Sequence, residues 1–595
     1  MYNVVVFSGG TGSIAIQKGF SAIFGQHGLN FDIIINAYDN GLSTGACRKV
    51  FDDKILGPSD LRKNQMTQFS LQKERELSDW WSRESVLYRL FQLRFDADCK
   101  ESYYQRAREL LTELEEAVGE KDATYLRALL DHFFFEDVDR HTWRATLDGI
   151  EFDDFSLANV FYSAAASLNG NSLRAAGTDM AQFLGIKDNV HLISDVNLYL
   201  QARTNSGLVI ADEGDIVTWD NLEDKIASIE LLKNGKIYSP EVDEETDILR
   251  EKSCRDIVAA ADIIIFSSGT QWSSLIPTYV HRGFREMIEA SNARKYLVIN
   301  TSEDHDMWGV SADETVDVLR RFLPLDDVTA VVNTDAPAGL NRVESIRSIE
   351  GHIGAEVRKH NPIGLVRLIM LDYFGISNFK GTFFFDLDGT LFDETESGVG
   401  KSVGAENMNL FHGVIHSGNN YEHVRSVLEY LYWRDDVVDV YSDFGNVHFT
   451  NVDYQKTVIS DRWLIHDDVV SALNAIPEFA GKVSMRGEGC VVTIKPLNDR
   501  NIMLQKAKAA IEQFGDKYEA HIAGNTSIDV VSTGYDKKAM LQTILSNMSI
   551  SPSDVVFVGN EVERGAESTI SETGVRTLQV NDVFECNVLL RTLSV

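Results

Sequence analysis

The chain has 595 residues, 44% of them hydrophobic and 25% charged, the balance of an ordinary globular protein too long for one hydrophobic core. Its formal net charge of −34 excludes a general binder of nucleic acid or of anionic membranes, but not a small phosphorylated ligand held by backbone N–H groups. Scattered cysteines without a CxxC pair, no basic leader and no apolar run of transmembrane length give the expectation of a cytoplasmic protein with reduced thiols.

Val4–Phe7 reads as a buried strand, Gly9-Gly10-Thr11-Gly12 as the turn after it, and residues from about Ile14 to Phe24 as a helix. A second apolar run, Phe31–Asn36, ends at Tyr38-Asp39-Asn40-Gly41. Together they form a βαβ unit, which implies a parallel sheet covered by helices. The stretch from about Leu71 to His141 is proline-free, rich in Leu, Glu and Arg, and periodic at helical spacing, so an inserted helical subdomain is expected. Its Trp80 and Trp81, with nearby Trp143, read as core packing or an oligomer contact, and a homodimer is left open. Strands resume at Val190–Ile193, Gly207–Ile210, Asp262–Phe266, Lys295–Asn300 and Val328–Asn333. Each carries polar residues beyond its carboxyl end, where open α/β sheets bind ligands.

Near residue 380 the βα pattern restarts with Phe383–Phe385, then Val414–His416 and Val555–Val558. Between them, about 445–525, lies a smaller α/β unit with a strand at Cys490–Ile494 and a helix around Met503–Phe514. The expected fold class is therefore α/β. A Rossmann-like doubly wound parallel sheet with a helical insertion spans 1–376, and a second α/β domain with an inserted α/β cap spans 380–595.

Asp386 and Asp388 flank Leu387 directly after a strand of three phenylalanines. In extended backbone, residues two apart face one side, so both carboxylates can serve one site. One carboxylate can attack phosphorus while the other protonates the leaving oxygen, and Mg2+ would offset the repulsion between anionic nucleophile and anionic substrate. The run Phe-Asp-Leu-Asp-Gly-Thr resembles the first motif of the haloacid dehalogenase superfamily, and the resemblance covers about 380–595. It implies that Ser417 holds the phosphoryl group, that Lys537 neutralises it, and that Asp386, Asp388, Asn560 and Glu561 bind Mg2+, with Glu563 or Glu567 as further acids. The inserted unit looks like the cap of the Cof and phosphomannomutase-type branch, whose members usually act on sugar phosphates. One departure is Asn560, which stands where the fourth motif usually offers an aspartate. A degenerate domain kept as a scaffold or regulator is the alternative.

At the amino end, Gly10-Thr11-Gly12-Ser13-Ile14-Ala15 satisfies the loose pattern G-x-G-x-x-A after a strand, a turn able to cradle phosphate. Alone, with Asp39 as the acid after the second strand, it fits an NAD-dependent enzyme as well. Three more polar turns follow: Asp39-Asn40-Gly41-Leu42-Ser43-Thr44-Gly45 with Arg48, Gly57-Pro58-Ser59-Asp60-Leu61-Arg62, and Ser267-Ser268-Gly269-Thr270-Gln271-Trp272-Ser273-Ser274. Together the four resemble the CofD-like family of 2-phospho-L-lactate transferase and YvcK-type gluconeogenesis factors, over about 1–375. Asn159 resembles that family's Gly-Asn at a helix start, with Ala158 in place of the glycine.

That resemblance implies Asp39 as the metal or acceptor-hydroxyl carboxylate. Gly9, Gly10, Thr11 and Gly12, with Ser268, Gly269, Thr270, Ser273 and Ser274, would hold a diphosphate, supported by Asn40, Ser43, Thr44 and Asp60. Arg48 and Arg62 would offset charge. Tyr38, Leu42 and Ser59 depart from the family pattern, so transfer to a deazaflavin is not carried over. The expectation is a bifunctional enzyme on a small phosphorylated or nucleotide-linked metabolite, using Mg2+. Its rival is a nucleotide-sugar sensor.

Overall fold

The computed structural model describes residues 2–25, 29–97, 99–135, 147, 149–244, 253–300, 305–332, 342–345, 360–377, 379–394, 400–402, 413–431, 438–495, 499–523, 527–562 and 568–594. Trp143, Glu563 and Glu567 lie outside these residues. The chain divides into two compact units, Met1–Tyr373 and Phe374–Val595.

The first unit is built on a seven-stranded parallel sheet. Its strand order is Arg342–Ser345, Val328–Val332, Arg294–Val298, Ile263–Phe266, Tyr2–Phe7, Leu29–Ile35 and Val190–Leu192. The central Tyr2–Phe7 strand pairs with Ile263–Phe266 on one side and Leu29–Ile35 on the other, both in parallel. Val4, Val5, Val6 and Phe7 are all buried because helices cover both faces of such a sheet, which is why the strand reads as a continuous apolar run.

Residues 71–141 carry the helices Arg83–Gln92, Lys100–Glu113 and Glu120–Phe135. Their Leu90, Phe91, Leu130 and Phe133 belong to the same apolar cluster as Ile33, Ile34 and Ile35 of the sheet. The helices are therefore fused into the sheet's core, not set off as a lobe. Trp80 and Trp81 are not core residues: they are 61% and 73% exposed, with the Arg89 guanidinium 3.6 Å from the Trp80 ring centre. The strand expected at Gly207–Ile210 appears as Val209–Ile210 and belongs not to the parallel sheet but to a four-stranded antiparallel one, whose strands Tyr199–Thr204, Ile226–Lys233 and Lys236–Ile237 were not expected.

The second unit has its own seven-stranded sheet, ordered Thr457–Val458, Val447–Thr450, Asp439–Ser442, Gly413–His416, Thr382–Phe385, Val555–Gly559 and Arg576–Gln579. Five strands pair in parallel, and the two at the Thr457 edge are joined by antiparallel pairing, so that Val447–Thr450 alone runs against the other six. A separate four-stranded antiparallel sheet, Val483–Arg486, Val491–Ile494, Ser527–Ser532 and Tyr518–Ala523, packs on the helices Asp467–Asn474 and Arg500–Ile511 around its own apolar cluster. Among the described residues no helix is long and apolar enough to cross a membrane.

Candidate active and ligand sites

In the second unit, the strands Thr382–Phe385 and Gly413–His416 are neighbours, and Asp386 and Ser417 are the first residues past their carboxyl ends. The Asp386 N–H continues the ladder by donating to Val558 O at 2.8 Å, which fixes the carboxylate at the mouth of the sheet. Lys537 opens the helix Lys537–Met548, capped by Asp536, whose Oδ1 accepts the Ala539 N–H at 2.7 Å. From there its Nζ reaches Asp386 Oδ1 at 2.6 Å, with both side chains only 10% exposed. An ion pair so withdrawn from water is strong and directional.

Asp388 lies at the edge of this centre. Its Oδ2 accepts Asn419 Nδ2 at 2.8 Å and, more loosely, Ser417 Oγ at 3.5 Å, while His423 Nε2 sits 2.8 Å from Oδ1. Burial alone would push the Asp388 carboxyl upward, but the hydrogen bonds from His423 and Asn419, with the charges of His423 and Lys537, hold it below the usual range. Asn419 and His423 were missed by the sequence reading. They belong to the turn and first helical turn after Ser417, where no spacing rule distinguishes them from helix-start residues.

Gly389 has φ +75°, and a Cβ there would come within 2.2 Å of Asn560 Nδ2. The glycine thus allows the sharp turn after Asp388 and the close approach of the Asn560 amide. Asn560 follows Val555–Gly559, the strand paired with Thr382–Phe385, so the pairing brings it beside Asp386–Gly389. Glu561 is exposed. Among the described residues no three His, Cys, Asp or Glu side chains gather as a metal cluster. Of the expected set, Asp386, Asp388 and the Asn560 amide would offer oxygen to a cation here. That all-oxygen set suits Mg2+ in kind, with fewer formal charges than a set of carboxylates. Lys538 turns away to Glu572 at 2.5 Å, and His416 is fully buried as a packing residue, its imidazole pushed well below its usual pKa by burial.

In the first unit three neighbouring strands end at one cavity of about 350 Å3. Tyr2–Phe7 delivers Gly9, Gly10, Thr11 and Gly12; Leu29–Ile35 delivers Asn36 and Asp39; Ile263–Phe266 delivers Gly269, Thr270, Ser273 and Ser274. Asp60 joins them from the start of the helix Ser59–Gln72. Gly12 has no alternative: a Cβ there would stand 1.8 Å from Ser268 O. Ser268 Oγ in turn donates to Gly12 O at 3.2 Å, locking the two turns together. A buried relay fixes the glycine turn from below, with Asn64 Nδ2 on Gly9 O at 2.8 Å and Gln17 Nε2 on Asn64 Oδ1 at 2.9 Å. Ser273 is already committed, its N–H and Oγ donating to Asp306 Oδ2 at 2.8 and 3.0 Å.

The sequence reading missed four lining residues of this cavity, Asn36, Val217 and the ionisable Lys63 and Glu213. Burial, then the neighbouring Asp39 carboxylate, raises the Glu213 carboxyl to about 9, so it holds a proton at neutral pH. Burial also raises Asp60, against the pull of Lys63 at 3.5 Å. Neither Lys63 nor Glu213 stands in a glycine-rich turn, and Glu213 comes from a short helix far along the chain.

Six expected residues do not line the cavity: Asn40, Ser43, Thr44, Arg48, Arg62 and Ser268, the last being turned to Gly12 O. Arg48 is fully buried and points elsewhere: its Nη2 donates to Asn197 Oδ1 and Leu198 O, each at 2.8 Å, and its guanidinium lies 4.1 Å from the Tyr199 ring centre. It braces the added antiparallel sheet instead of offsetting ligand charge. Ser43 and Thr44 close an internal network, with Asn159 Nδ2 donating to Ser43 and Ser59 at 3.2 and 3.1 Å, and Thr44 sharing a hydrogen bond with Ser59. Asn40 Oδ1 accepts the Glu213 N–H at 3.1 Å and so positions Glu213. Arg62 faces a different cavity.

Residues 4–349 match the family described as 2-phospho-L-lactate transferase CofD, which is more than half of the chain. The chain belongs to the CofD family. Residues 381–568 of this CofD-family chain match the haloacid dehalogenase-like hydrolase family, so a CofD-like domain is fused to a hydrolase-like one. A protein of Aquifex aeolicus, whose name gives gluconeogenesis factor as a provisional assignment, is 24% identical over 56% of this chain and 79% of its own length. The gluconeogenesis factor of Halalkalibacterium halodurans is 22% identical over 50% of this chain and 66% of its own. Among solved structures, a UPF0052-family protein from Bacillus halodurans aligns at 18% identity over 61% of this chain and 97% of its own, with a TM-score of 0.41. A haloacid dehalogenase-like hydrolase from Bacteroides thetaiotaomicron aligns at 13% identity over 35% and 98%, with a TM-score of 0.28. The family assignment rests on the sequence matches.

Proposed function

We propose that the second unit hydrolyses a phosphomonoester and that the first binds a nucleotide-diphosphate-linked metabolite. The observation that carries the hydrolase reading is the buried Lys537–Asp386 pair at 2.6 Å, set at strand ends beside Ser417 and Asp388. The Asp386 carboxylate attacks phosphorus and the ester oxygen departs with a proton from Asp388, which then takes a proton from the water that hydrolyses the aspartyl-phosphate. Asp388 is held ionised before substrate arrives; an entering phosphate dianion raises its proton affinity, and it takes up from solvent the proton that it passes to the leaving oxygen. Lys537 and the Ser417 hydroxyl face the charge that builds on the transferring group. A magnesium ion, when bound at Asp386 and Asn560, would supply further neutralisation of the phosphoryl oxygens. An acid-quenched single turnover with a radiolabelled sugar phosphate tests this. Label is expected on the peptide containing Asp386, and label elsewhere or none during turnover overturns the step.

For the first unit, the glycine and serine turns at the ends of three parallel strands support a diphosphate, and Asp39 supports an acceptor hydroxyl or a cation. Covalent fusion suggests consecutive steps on one metabolite, transfer then dephosphorylation. A second reading, a nucleotide-sugar sensor with a weakened hydrolase, is favoured by one observation, the uncharged Asn560 in the acidic fourth motif. Product analysis after incubation with nucleotide sugars separates the two: a converted ligand supports the enzyme, a bound and unchanged one the sensor.

A further inference from the structure

Behind the glycine turn lies a second cavity of about 350 Å3, between the helices Ile14–Phe24, Ser59–Gln72 and Arg83–Gln92. Lys18, Arg62, Lys63 and Arg94 line it together with the hydroxyl residues Thr11, Thr67, Ser70 and Tyr88, and no carboxylate is among the described lining residues. In a chain of net charge −34, such a concentration of cations is a local reversal of sign. Arg62 carries the argument furthest. It is only 5% exposed, its Nε is buried without a hydrogen-bond partner, and no ion pair to its guanidinium is found among the described residues. Burial and then the like charge of Arg94 work against its protonated form. An unpaired buried guanidinium is costly, and an oxyanion is the group that removes the cost.

Two of the other cations have carboxylate partners outside this cavity, one buried in the neighbouring Asp39 cavity and one exposed. Lys63 is 3.5 Å from Asp60, and Arg94 is 2.9 Å from the exposed Asp154. Thr11 and Lys63 line both this cavity and the one containing Asp39, so the two spaces flank the same turn.

We propose that the Lys18–Arg62–Lys63–Arg94 cavity is a second anion site, taking a phosphate or carboxylate group apart from the diphosphate expected at the glycine and serine turns. The site does not depend on the nucleotide reading. It accepts either a free oxyanion or a distal anionic group of a ligand that spans both cavities.

The test is calorimetric titration of the whole chain with inorganic phosphate. Wild type is compared with Lys18→Gln/Arg94→Gln and with Lys54→Gln/Lys236→Gln, which removes the same charge from exposed positions elsewhere on this unit. Lys18 is exposed and Arg94 partly so, and the thermal melt of each variant checks its fold. The cavity variant is expected to bind phosphate on the order of tenfold more weakly, or worse, with the surface variant unchanged. Equal weakening in both variants, undiminished binding in the cavity variant, or no binding by wild type overturns the proposal. Titration with a nucleoside diphosphate runs in parallel. If wild type binds phosphate as described but no nucleoside diphosphate, the nucleotide reading fails and this site stands. A ligand spanning both cavities is marked by phosphate competing with it in wild type and not in the cavity variant; phosphate binding alongside it marks a separate anion.

Discussion

In the second unit a cation meets a carboxylate directly, Lys537 on Asp386 at 2.6 Å, and the surrounding polar side chains serve that pair. In the first unit the charges are arranged the other way round. The carboxyls of Asp39, Asp60 and Glu213 gather at a turn made of backbone, with Lys63 as the cation in that cavity and three more behind the turn. The contrast teaches what each site can do unaided. The first kind presents a poised nucleophile with its countercharge in place. The second presents donors from the main chain and a cluster of carboxyl groups, the arrangement that the proposed diphosphate site beside an acceptor hydroxyl requires.

The largest effect that would break this contrast is at Lys537. Lys537→Met is expected to lower phosphate release by the second unit on the order of a hundredfold or more in kcat, measured on any substrate that wild type hydrolyses. A loss confined to KM would instead make Lys537 a binding residue only. In the first unit the comparable break is in the backbone. Gly12→Ala drives a Cβ into Ser268 O, so it should cost about 3 kcal/mol of stability and abolish ligand binding. Thermal melting and titration with a nucleoside diphosphate check both, and a variant that binds normally would show that the two turns are not locked together.

A third prediction concerns pH. His281 is almost fully buried, its Nδ1–H donating to Thr278 O at 3.0 Å and the Nε2 of the neutral ring accepting from Tyr38 Oη at 2.9 Å, and burial lowers its imidazole to about 4. The folded value lies below the unfolded one of about 6.5, so the neutral ring contributes fully above that pH and loses its contribution as pH falls toward 4. The first unit should lose up to about 3 kcal/mol across that window. Denaturation at stepped pH values checks this, and His281→Gln should flatten the slope. The smallest effect sharpens the cation question: Asn560→Asp adds a formal charge, and the magnesium concentration for half-maximal phosphate release should drop about threefold to tenfold. No change would place the cation away from Asn560.

The same contrast explains what could be read from the sequence. Asp386, Asp388 and Thr390 occupy one short run after a strand, so a period of two and a glycine are enough to infer a site. Gly9–Gly12 and the serine turn after Ile263–Phe266 were legible for the same reason, as polar turns at the ends of apolar runs. Glu213 was not, because it reaches the cavity from a short helix that follows no long apolar strand, and only the tertiary fold brings it beside Asp39. Arg48 misled in the opposite sense. An arginine near a polar turn suggests ligand charge, but the fold turns it into the protein to satisfy Leu198 O and Asn197. His423 illustrates a third case: a histidine early in an amphipathic helix looks like a surface residue until the turn before it places the ring on Asp388. Trp80 and Trp81 read as core packing or an oligomer contact, and their exposed place in a turn sets the core reading aside.

The most direct test of the hydrolase claim is magnesium-dependent phosphate release across a panel of sugar phosphates, wild type against Asp386→Asn. The account predicts release from at least one member by wild type and a fall on the order of a thousandfold or more in the variant. Wild type no faster than the variant on every member would contradict it and leave the sensor reading in its place.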